Sequence, residues 1–332
     1  MCGIAGLLGE GSTQGAARAL IEPLAHRGPN GIRTEDGRGW SVGHARLSII
    51  DLEGGWQPLH AAGSTVIGNG EVYNYVELTA EHGLDPATGS DFEPLAHLYG
   101  REGEAAFDRL RGMYALCLVG ADGRTWLVRD PFGIKPLYLL EHEGGLAFAS
   151  EPRAFFEAGL TAPRVRTGRA EELLALNYAL GEDTIFEGVT RLTPGAVVEV
   201  EGGRLKPGRV RPAFSPTRPV ARSEDEALAE LDRVLEDSVR VHQRSDVPYG
   251  LFLSGGVDSA TVATLMARLN ERPVTAFTCG FEAEGARDER AAAERVARAL
   301  NLDWRETLFT EADFWRALPE VARATTLADF LP

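Results

Sequence analysis

The sequence predicts two domains of different fold class, a mixed α+β domain over residues 1–205 and a parallel α/β domain over residues 223–332. The first half contains short apolar runs paired across glycine turns, which is typical of antiparallel sheets. The C-terminal part alternates apolar strand segments with helical segments, which is typical of a parallel sheet. A proline-rich stretch at 206–222 separates the two patterns, and 332 residues suffice for two cores at about 150 residues each.

Two hairpins define the sheets expected in the first half. The segments MYALCLV and TWLVRD flank a turn at 121–123, and the segments KPLYLLE and GLAFAS flank the turn sequence HEGG. Helices are expected where apolar residues recur at spacings of three and four. Three such segments are 14–26, 92–101 and 168–180. The first domain is therefore predicted to have helices that cover antiparallel sheets.

The stretch KPGRVRPAFSPTRPVAR, residues 206–222, has little apolar content and no periodicity, so we expect an interdomain linker. Immediately after it, Ser223 and Glu226 have the spacing of a capping box, which marks a helix N-terminus. The apolar residues that would form one stripe of that helix are Leu228, Leu231, Val234, Leu235 and Val239.

Strand and helix segments alternate through the rest of the chain. YGLFLSGG is expected to be a buried strand that runs into a glycine loop, and SATVATLMARL follows as a helix. VTAFTCGF and WRETLF are expected to be strands on either side of the helix DERAAAERVARALNL. Because parallel strands need a helical crossover between them, this order predicts a parallel sheet.

The composition excludes several classes of partner. A formal net charge of -15 repels phosphate backbones and anionic lipids, so neither nucleic acid nor a membrane surface is expected as a partner. Cys2, Cys117 and Cys279 are far apart, so no disulfide framework or CxxC metal pair is expected. The sequence shows no signal-peptide pattern and no run of about 18 apolar residues, which predicts a cytoplasmic protein.

No metal centre built by the protein is predicted. The sequence has no HExxH motif, and its seven histidines are scattered. We expect His26 and His44 to serve packing or hydrogen bonding.

The loop LSGGVDS, residues 253–259, is expected to join a strand to a helix. That geometry directs backbone N–H groups and a helix N-terminus toward one point, which suits a nucleotide phosphate. Ser254 and Ser259 add hydroxyl donors, and Asp258 suits a divalent metal between phosphates, which favours magnesium. The alternative is a plain strand-to-helix turn capped by Ser or Asp. The loop has no lysine and is not of the GxxxxGK type.

This SGGxDS pattern resembles the pyrophosphatase loop of enzymes that use ATP to adenylate a carboxylate and release pyrophosphate. The resemblance implies a Rossmann-like fold, with Leu253 and Cys279 against the nucleotide base. Asp288 and Glu289 match an acidic pair in that family. The loop residues that would form the ATP site are Ser254, Gly255, Gly256, Asp258 and Ser259.

The N-terminal half resembles a class II glutamine amidotransferase domain, and the whole chain resembles the glutamine-dependent asparagine synthetase family. The resemblance implies an N-terminal-nucleophile hydrolase fold of four αββα layers. The motifs that carry it are MCGIAG (1–6), AHRGPNG (25–31), GHARLSIIDLEGGWQPL (43–59), GNGEVYNY (68–75), TGSDFE (88–93), RGMYALCLV (111–119) and RDPFGIKPLYL (129–139).

Cys2 can combine a nucleophile and a base in one residue. Removal of Met1 would leave a thiol with a reference pKa of about 8.5 beside an α-amine of about 7.7 to 8. The amine, directly or through a water, can take the thiol proton and later return it to departing ammonia. Cleavage of the glutamine amide further needs oxyanion donors and an amino-acid clamp. By resemblance, the Asn69 amide and the Gly70 N–H form the oxyanion hole.

The resemblance also assigns the glutamine pocket. Arg46 would bind the glutamine carboxylate in bidentate fashion, while Asp91 and Glu71 would face its amino group. Backbone groups of four further residues would complete the pocket, namely Leu47, Ser48, Ile49 and Ile50.

The expected function is therefore glutamine-dependent asparagine synthesis, in which ammonia released at Cys2 attacks an aspartate activated with ATP and magnesium. Glutamine, ATP and aspartate are the expected small-molecule partners, and a homodimer is left open. One alternative is amidation or cyclisation of a different carboxylate, such as a natural product or peptide. Another is a glutaminase or regulatory subunit without complete synthetase activity. Amidotransferases with phosphoribosyl or sugar-phosphate domains are disfavoured by the SGGVDS loop.

In this family the synthetase half extends well beyond the segment matched here, with a second glycine and acid loop. We therefore expect either that the chain is a fragment or that its synthetase domain is incomplete. A parallel sheet that lacks part of its cover would expose an apolar face and strand edges.

Overall fold

The structure, a computed structural model, describes residues 1–9, 14–214, 218–282 and 288–324. The chain divides into two compact units, one built from Met1–Pro216 and the other from Thr217–Arg323. Each unit has its own sheets and its own apolar clusters.

The first unit is built on short strands that run in antiparallel pairs. Its described strands are β1 (Gly3–Leu8), β2 (Gly31–Gly37), β3 (Trp40–Arg46), β4 (Leu59–Ala61), β5 (Ser64–Val72), β6 (Gly112–Val119), β7 (Thr125–Arg129), β8 (Tyr138–His142), β9 (Gly145–Ala149), β10 (Val189–Arg191), β11 (Ala196–Glu201), β12 (Arg204–Leu205) and β13 (Arg209–Val210).

These strands form two antiparallel sheets. The first has the order β10-β8-β9-β1-β3-β2, so β1 has a hydrogen-bonded neighbour on both sides. Gly3 lies opposite Ala45 of β3, and Ala5 lies opposite Ala149 of β9. The second sheet has the order β12-β11-β7-β6-β5-β4, and β13 also pairs with β11. Since β13 lies within the segment expected to be a linker, part of that segment belongs to the first unit.

Helices cover the outer faces of both sheets. Ile4 of the first sheet and Ile67 of the second belong to the apolar cluster between the sheets. Leu20 packs on the outer face of the first sheet and Leu95 on that of the second. This arrangement gives the four αββα layers that the resemblance implies. The helices of this unit are α1 (Ala16–Ile21), α2 (Tyr75–Glu81), α3 (Glu93–Glu102), α4 (Arg153–Glu157) and α5 (Thr167–Leu176), with 3-10 turns at Glu22–Arg27 and Gly103–Arg109.

Both predicted hairpins are confirmed, as β6 with β7 and as β8 with β9. The helix expected at 14–26 is only partly an α-helix, because Pro23 lies at the start of a 3-10 turn that completes it. The segment expected at 168–180 forms α5 but ends early, where Asn177 adopts a left-handed conformation with φ of 63°. No residue of α5 is buried, so its apolar residues do not build the core.

The second unit begins with a helix and continues with alternating strands and helices. Its elements are α6 (Glu224–His242), β14 (Gly250–Phe252), α7 (Val257–Leu269), β15 (Thr275–Glu282), α8 (Arg290–Ala299), β16 (Asp303–Thr310) and α9 (Glu311–Ala324). The three strands are parallel in the order β14-β15-β16, which confirms the predicted parallel sheet.

The capping box at the start of α6 is confirmed. The Ser223 hydroxyl accepts the Glu226 N–H at 3.3 Å, and the Glu226 carboxylate accepts the Ser223 N–H at 2.9 Å. The expected apolar stripe is buried only near its C-terminal end. Val239 is buried, whereas Leu228 and Leu231 are more than half exposed.

One face of the parallel sheet is covered and the other is open in the described part of the chain. Ala276 packs with Ala263 of α7 and Ala293 of α8 in one apolar cluster. On the opposite face, Phe252 is 87% exposed and Phe281 is 50% exposed. The expectation of a buried strand at 249–256 is therefore wrong at Phe252, because no described helix packs on that face.

None of the helices in the described ranges combines the length and the apolar character needed to cross a membrane.

Candidate active site

Cys2 lies immediately before β1, the strand that is paired on both sides. Its sulfur accepts the Leu47 N–H at 3.3 Å, and its S–H group donates to the Leu47 carbonyl at 3.5 Å. Burial raises the pKa of the Cys2 thiol, and the Leu47 N–H partly opposes this increase. The sulfur is thereby fixed near the C-terminal end of β3.

Asn69 and Gly70 lie on β5 of the opposing sheet. The Asn69 side chain is fully buried, and neither atom of its amide has a hydrogen-bond partner in the described structure. Gly70 has a φ of 141°, and a β-carbon at this position would collide with the Met113 carbonyl oxygen. Buried amides are normally hydrogen-bonded, so an open amide in a cavity indicates room for a ligand atom.

Arg46 ends β3 and is almost completely buried. Its guanidinium donates to the Leu52 carbonyl at 3.2 Å and to the Asp51 carbonyl. The guanidinium carbon also lies 4.8 Å from the centre of the Trp56 ring, and Arg33 stacks on the same ring. These contacts hold a positive charge in a cavity wall, where it can bind a carboxylate.

Asp91 precedes α3 and provides the opposite charge. Its carboxylate accepts the Val72 N–H at 2.7 Å. Burial, together with the nearby Glu71, raises the pKa of Asp91 to about 7. A cationic group in the cavity would favour the ionised form of this carboxylate.

These side chains line one cavity of about 330 Å³ in the first unit. Ser48 is not part of the cavity wall, and its N–H donates to the Asn30 side chain at 3.0 Å. The structure therefore gathers most of the predicted glutamine-site residues around one space. The sequence-predicted residues on its wall are Cys2, Arg46, Leu47, Ile49, Ile50, Asn69, Gly70, Glu71 and Asp91.

The cavity also contains residues that the sequence analysis missed. His44 is buried without a hydrogen-bond partner in the described structure, and burial lowers its pKa to about 3. We expected His44 to pack or to form a hydrogen bond. Because side chains two residues apart on a strand face the same side of the sheet, its position two residues before Arg46 indicates the same cavity wall. His26 does contact a partner, the Glu151 carboxylate at 3.0 Å. Gln57 and Lys135 also line the cavity.

In the second unit, the predicted loop joins β14 to α7. The Ser254 and Ser259 hydroxyls lie 3.0 Å apart and fix the loop to the first turn of the helix. Gly255 has a φ of 75°, and a β-carbon there would meet the backbone of α8. Gly256 caps α7, whose first turn contains Asp258. The loop backbone thus packs closely against α8, and the N-terminus of α7 is free. This arrangement suits a phosphate group.

The remaining predicted ATP-site residues lie beside this loop. Leu253 is buried and pairs with Phe277 of β15, while Cys279 is exposed on the same strand. The Asp288 carboxylate is paired with Arg290 at 2.8 Å. Among the residues that the structure describes, no three His, Cys, Asp or Glu side chains are grouped so that they could hold a metal ion. Asp258 is therefore the carboxylate that the loop itself could offer to a phosphate-bound metal.

Family models match both units. The glutamine amidotransferase domain model matches residues 1–210, and the asparagine synthase model matches residues 230–330. The first match covers well over half of the chain.

Curated relatives agree with these matches. A putative glutamine-hydrolysing asparagine synthetase of Mycobacterium bovis is 35% identical over 96% of this chain and 52% of its own length. The glutamine-hydrolysing asparagine synthetase 1 of Bacillus subtilis is 31% identical over 97% of this chain and 52% of its own length. The chain thus spans about half the length of the curated relatives it matches.

A solved structure supports the fold. The structure titled as the allosteric regulatory enzyme of purine biosynthesis aligns with a TM-score of 0.50 at 15% identity, over 92% of this chain and 80% of that one. Together, the motifs, the cavity and the family model over residues 1–210 show that the chain belongs to the glutamine amidotransferase domain family, and residues 230–330 match the asparagine synthase model.

Proposed function

We propose that this chain hydrolyses glutamine at Cys2 and supplies ammonia for asparagine synthesis. One observation carries the proposal: the thiol, the open Asn69 amide and the two charged side chains Arg46 and Asp91 line a single cavity. A cation and an anion at separate points suit the two ends of an amino acid. An amide donor without a partner suits the oxyanion of a tetrahedral intermediate.

The reaction begins after removal of Met1, which exposes the α-amine of Cys2. The amine accepts the thiol proton, directly or through one water, and the sulfur attacks the side-chain carbonyl carbon of glutamine. The carbonyl electrons move to oxygen, where the Asn69 amide and the Gly70 N–H stabilise the negative charge. Collapse of this intermediate breaks the carbon–nitrogen bond, and the protonated amine returns its proton to departing ammonia.

The second half of the reaction restores the enzyme. Water attacks the γ-glutamyl thioester while the amine accepts one of its protons. The same oxyanion donors stabilise the second intermediate, whose collapse releases glutamate and returns the proton to sulfur. A proton carrier on the nucleophilic residue itself therefore serves both steps, which explains why no histidine needs to contact the sulfur.

The charged side chains of the cavity determine which molecule binds. We assign the glutamine α-carboxylate to Arg46 and the α-ammonium to Asp91 and Glu71. Trp56 and the carbonyls of Asp51 and Leu52 fix the Arg46 guanidinium, so little side-chain freedom remains to be lost on binding.

For the second unit we propose ATP-dependent activation of an acceptor carboxylate, with aspartate as acceptor. The family match and the glycine loop at the start of α7 support this assignment. Magnesium would accompany the phosphates, with Asp258 as its carboxylate contact. We assign residues 1–205 to the glutaminase and residues 223–332 to the synthetase segment. A reducing cytoplasm would keep the required thiol free.

A coupled assay tests the proposal. Glutamate and pyrophosphate are measured together, with and without ATP, magnesium and aspartate, after mass spectrometry has verified loss of Met1. Glutamate release supports the glutaminase, and pyrophosphate dependent on aspartate supports the synthetase. A protein with free Cys2 that releases no glutamate from glutamine contradicts the proposal.

Two cysteine variants provide the matched control. Cys2→Ala should abolish glutamate release, since it removes the nucleophile. Cys279→Ser removes an exposed thiol from the other unit and should leave glutamate release unchanged. Equal glutaminase activity in Cys2→Ala and the unmodified protein would exclude Cys2 as nucleophile.

A further inference from the structure

Lys135 is an unusual residue for this chain. The sequence has 34 lysines and arginines, and only Lys135 and Lys206 are lysines. Lys206 is exposed and pairs with Glu199 and Glu201 at 3.7 and 3.2 Å. Lys135 is 4% exposed and lines the cavity that contains Cys2. A chain that otherwise uses arginine thus has a lysine, the more easily perturbed cation, beside its nucleophile.

The backbone of Lys135 is held on both sides. Its N–H donates to the buried Asp130 carboxylate at 3.1 Å, and its carbonyl accepts from the Arg129 guanidinium at 2.7 Å. The same guanidinium donates to the carbonyls of Gly133 and Leu192, both at 2.6 Å. The loop between β7 and β8 is therefore fixed, and it presents the Lys135 side chain to the cavity.

The Lys135 ammonium donates to the Met1 sulfur at 3.0 Å. Within the described residues, no carboxylate lies at ion-pair distance from it. A thioether is a weak acceptor, so this contact compensates little of the cost of burying the charge. Removal of Met1 takes even this contact away. The ammonium would then remain on the wall of the cavity that also contains Cys2.

Several other charged groups surround the N-terminus. Arg27 donates to the Cys2 carbonyl at 3.0 Å and to the Glu151 carboxylate at 2.6 Å, so part of its charge is balanced by an ion pair. The remaining titratable or charged groups at this end of the cavity are His44, Arg46, Glu71, Asp91 and Asp130. His44 is neutral and Asp130 binds backbone N–H groups of its own loop. Lys135 has no ion-pair partner among these groups in the described structure, and the carboxylates that act on its ammonium from farther away are Glu71 and Asp130.

We propose that Lys135 is a positioning residue that keeps the Cys2 α-amine unprotonated, so that the amine can accept the thiol proton at neutral pH. This inference rests on the proposed glutaminase. A nearby positive charge disfavours a second one, so the ammonium opposes protonation of the amine. It also stabilises the thiolate formed when the proton leaves sulfur. The existing N-terminus shows the same influence, because burial, Arg27 and Lys135 each lower the pKa of the Met1 amine.

The test compares pH profiles of kcat at saturating glutamine, where the bound substrate keeps Asp91 ionised. Lys135→Met should move the acid limb of kcat up by about one pH unit, because the amine becomes easier to protonate. Lys135→Arg should keep the limb near its original position. Lys206→Met is the matched control and should leave the profile unchanged.

A second readout does not depend on activity. Cysteine labelled with carbon-13 at the α and β positions gives signals for three residues, which Cys117→Ser and Cys279→Ser assign. The Cys2 α-carbon then reports the titration of its amine directly. Lys135→Met should raise that midpoint by about one pH unit, and Lys206→Met should not.

The outcomes separate the two proposals. An active enzyme whose kcat limb and amine midpoint are identical in Lys135→Met and the parent overturns the role of Lys135 alone. A parent enzyme without glutaminase activity overturns the proposed function, while the carbon-13 titration still decides whether Lys135 acts on the amine. If thermal melting shows that Lys135→Met does not fold, Lys135→Gln removes the same charge with a polar side chain.

Discussion

The buried Asn69 amide leads to the first prediction at the scale of single residues. Asn69→Ala should lower kcat for glutamine hydrolysis by about 10²- to 10³-fold, because an oxyanion donor is lost. The KM for glutamine should change little, since the amide binds the transition state rather than the amino-acid ends. Steady-state measurement of glutamate release provides the test.

A matched substitution checks that this loss is electrostatic. Asn69→Asp keeps the shape of the side chain but replaces the N–H donor by an acceptor, so kcat should fall at least as far. Thermal stability of Asn69→Ala should be unchanged or higher, because an amide without partners is removed from the interior. An alanine variant that retains full kcat would exclude Asn69 from the oxyanion hole.

Asp91 leads to a prediction about pH. Since the carboxyl has a pKa of about 7 and must be ionised to bind the substrate ammonium, kcat/KM should fall as pH decreases through 7. The decrease with falling pH should be smaller for kcat than for kcat/KM, because bound glutamine stabilises the ionised Asp91 carboxylate. Asp91→Asn should lose this limb and raise KM by roughly 30-fold, which corresponds to about 2 kcal/mol for a charge-assisted contact.

Stability provides an independent check on Asp91. The folded-state pKa lies above the ordinary value of 3.8, so the native state holds the proton more tightly than the unfolded chain. The stability from this group is therefore fully present below pH 3.8 and decreases as pH rises through about 7. Melting temperatures of the parent and of Asp91→Asn should diverge over this range in favour of the variant. Parallel curves would show that Asp91 has an ordinary pKa.

At the scale of elements, a single carboxylate connects the two loops that support the clamp. Asp51 has a φ of 49° and accepts the Gly54 N–H at 2.8 Å and the Gly89 N–H at 2.7 Å. Its carbonyl also accepts from Arg46. The loop that orients Arg46 is thus joined to the segment that leads into Asp91.

Asp51→Ala should therefore raise the KM for glutamine by roughly 30-fold and leave kcat within a few-fold, because two hydrogen bonds of about 1 kcal/mol each are lost. Glu53→Ala removes a neighbouring exposed acid and should leave KM unchanged. The two variants are compared by initial rates over a range of glutamine concentrations. A fall in kcat at unchanged KM would place the effect of Asp51 on the chemical step instead.

Local signals explain which elements could be predicted. The hairpins and the Ser223 capping box depend on residues close in sequence, and both are confirmed. The burial of α5 and α6 depends on what packs against them, which periodicity alone does not reveal. Phe252 shows the same limit, because an apolar strand residue is buried only when an element covers its face.

The site divides in a similar way. Motifs indicated Cys2, Asn69 and Asp91 because each lies in a characteristic local sequence. Lys135 and His44 also lie in such motifs, but the motifs alone did not assign them to the cavity, because their place there depends on contacts between distant strands and loops. Their roles, like those of the motif residues, stay predictions until variants are measured.

At the scale of the whole molecule, the open face of the parallel sheet has a measurable consequence. Phe252, Phe277 and Phe281 expose apolar rings on one face, which should bind the dye anilinonaphthalene sulfonate. The double substitution Phe252→Ser and Phe281→Ser should reduce the fluorescence of bound dye. Phe214→Ser, which removes an exposed ring of the first unit, should have less effect. Equal fluorescence in all three proteins would show that this face does not bind the dye.

The central position of β1 has a further consequence for the loss of activity on heating. Chain ends usually fray first, but this one leads into a strand hydrogen-bonded to β3 and β9. Its amides should therefore rank among the slowest in hydrogen exchange, since they open only with the sheet. Heat inactivation should then coincide with global melting, because the nucleophile remains in place until the first sheet separates.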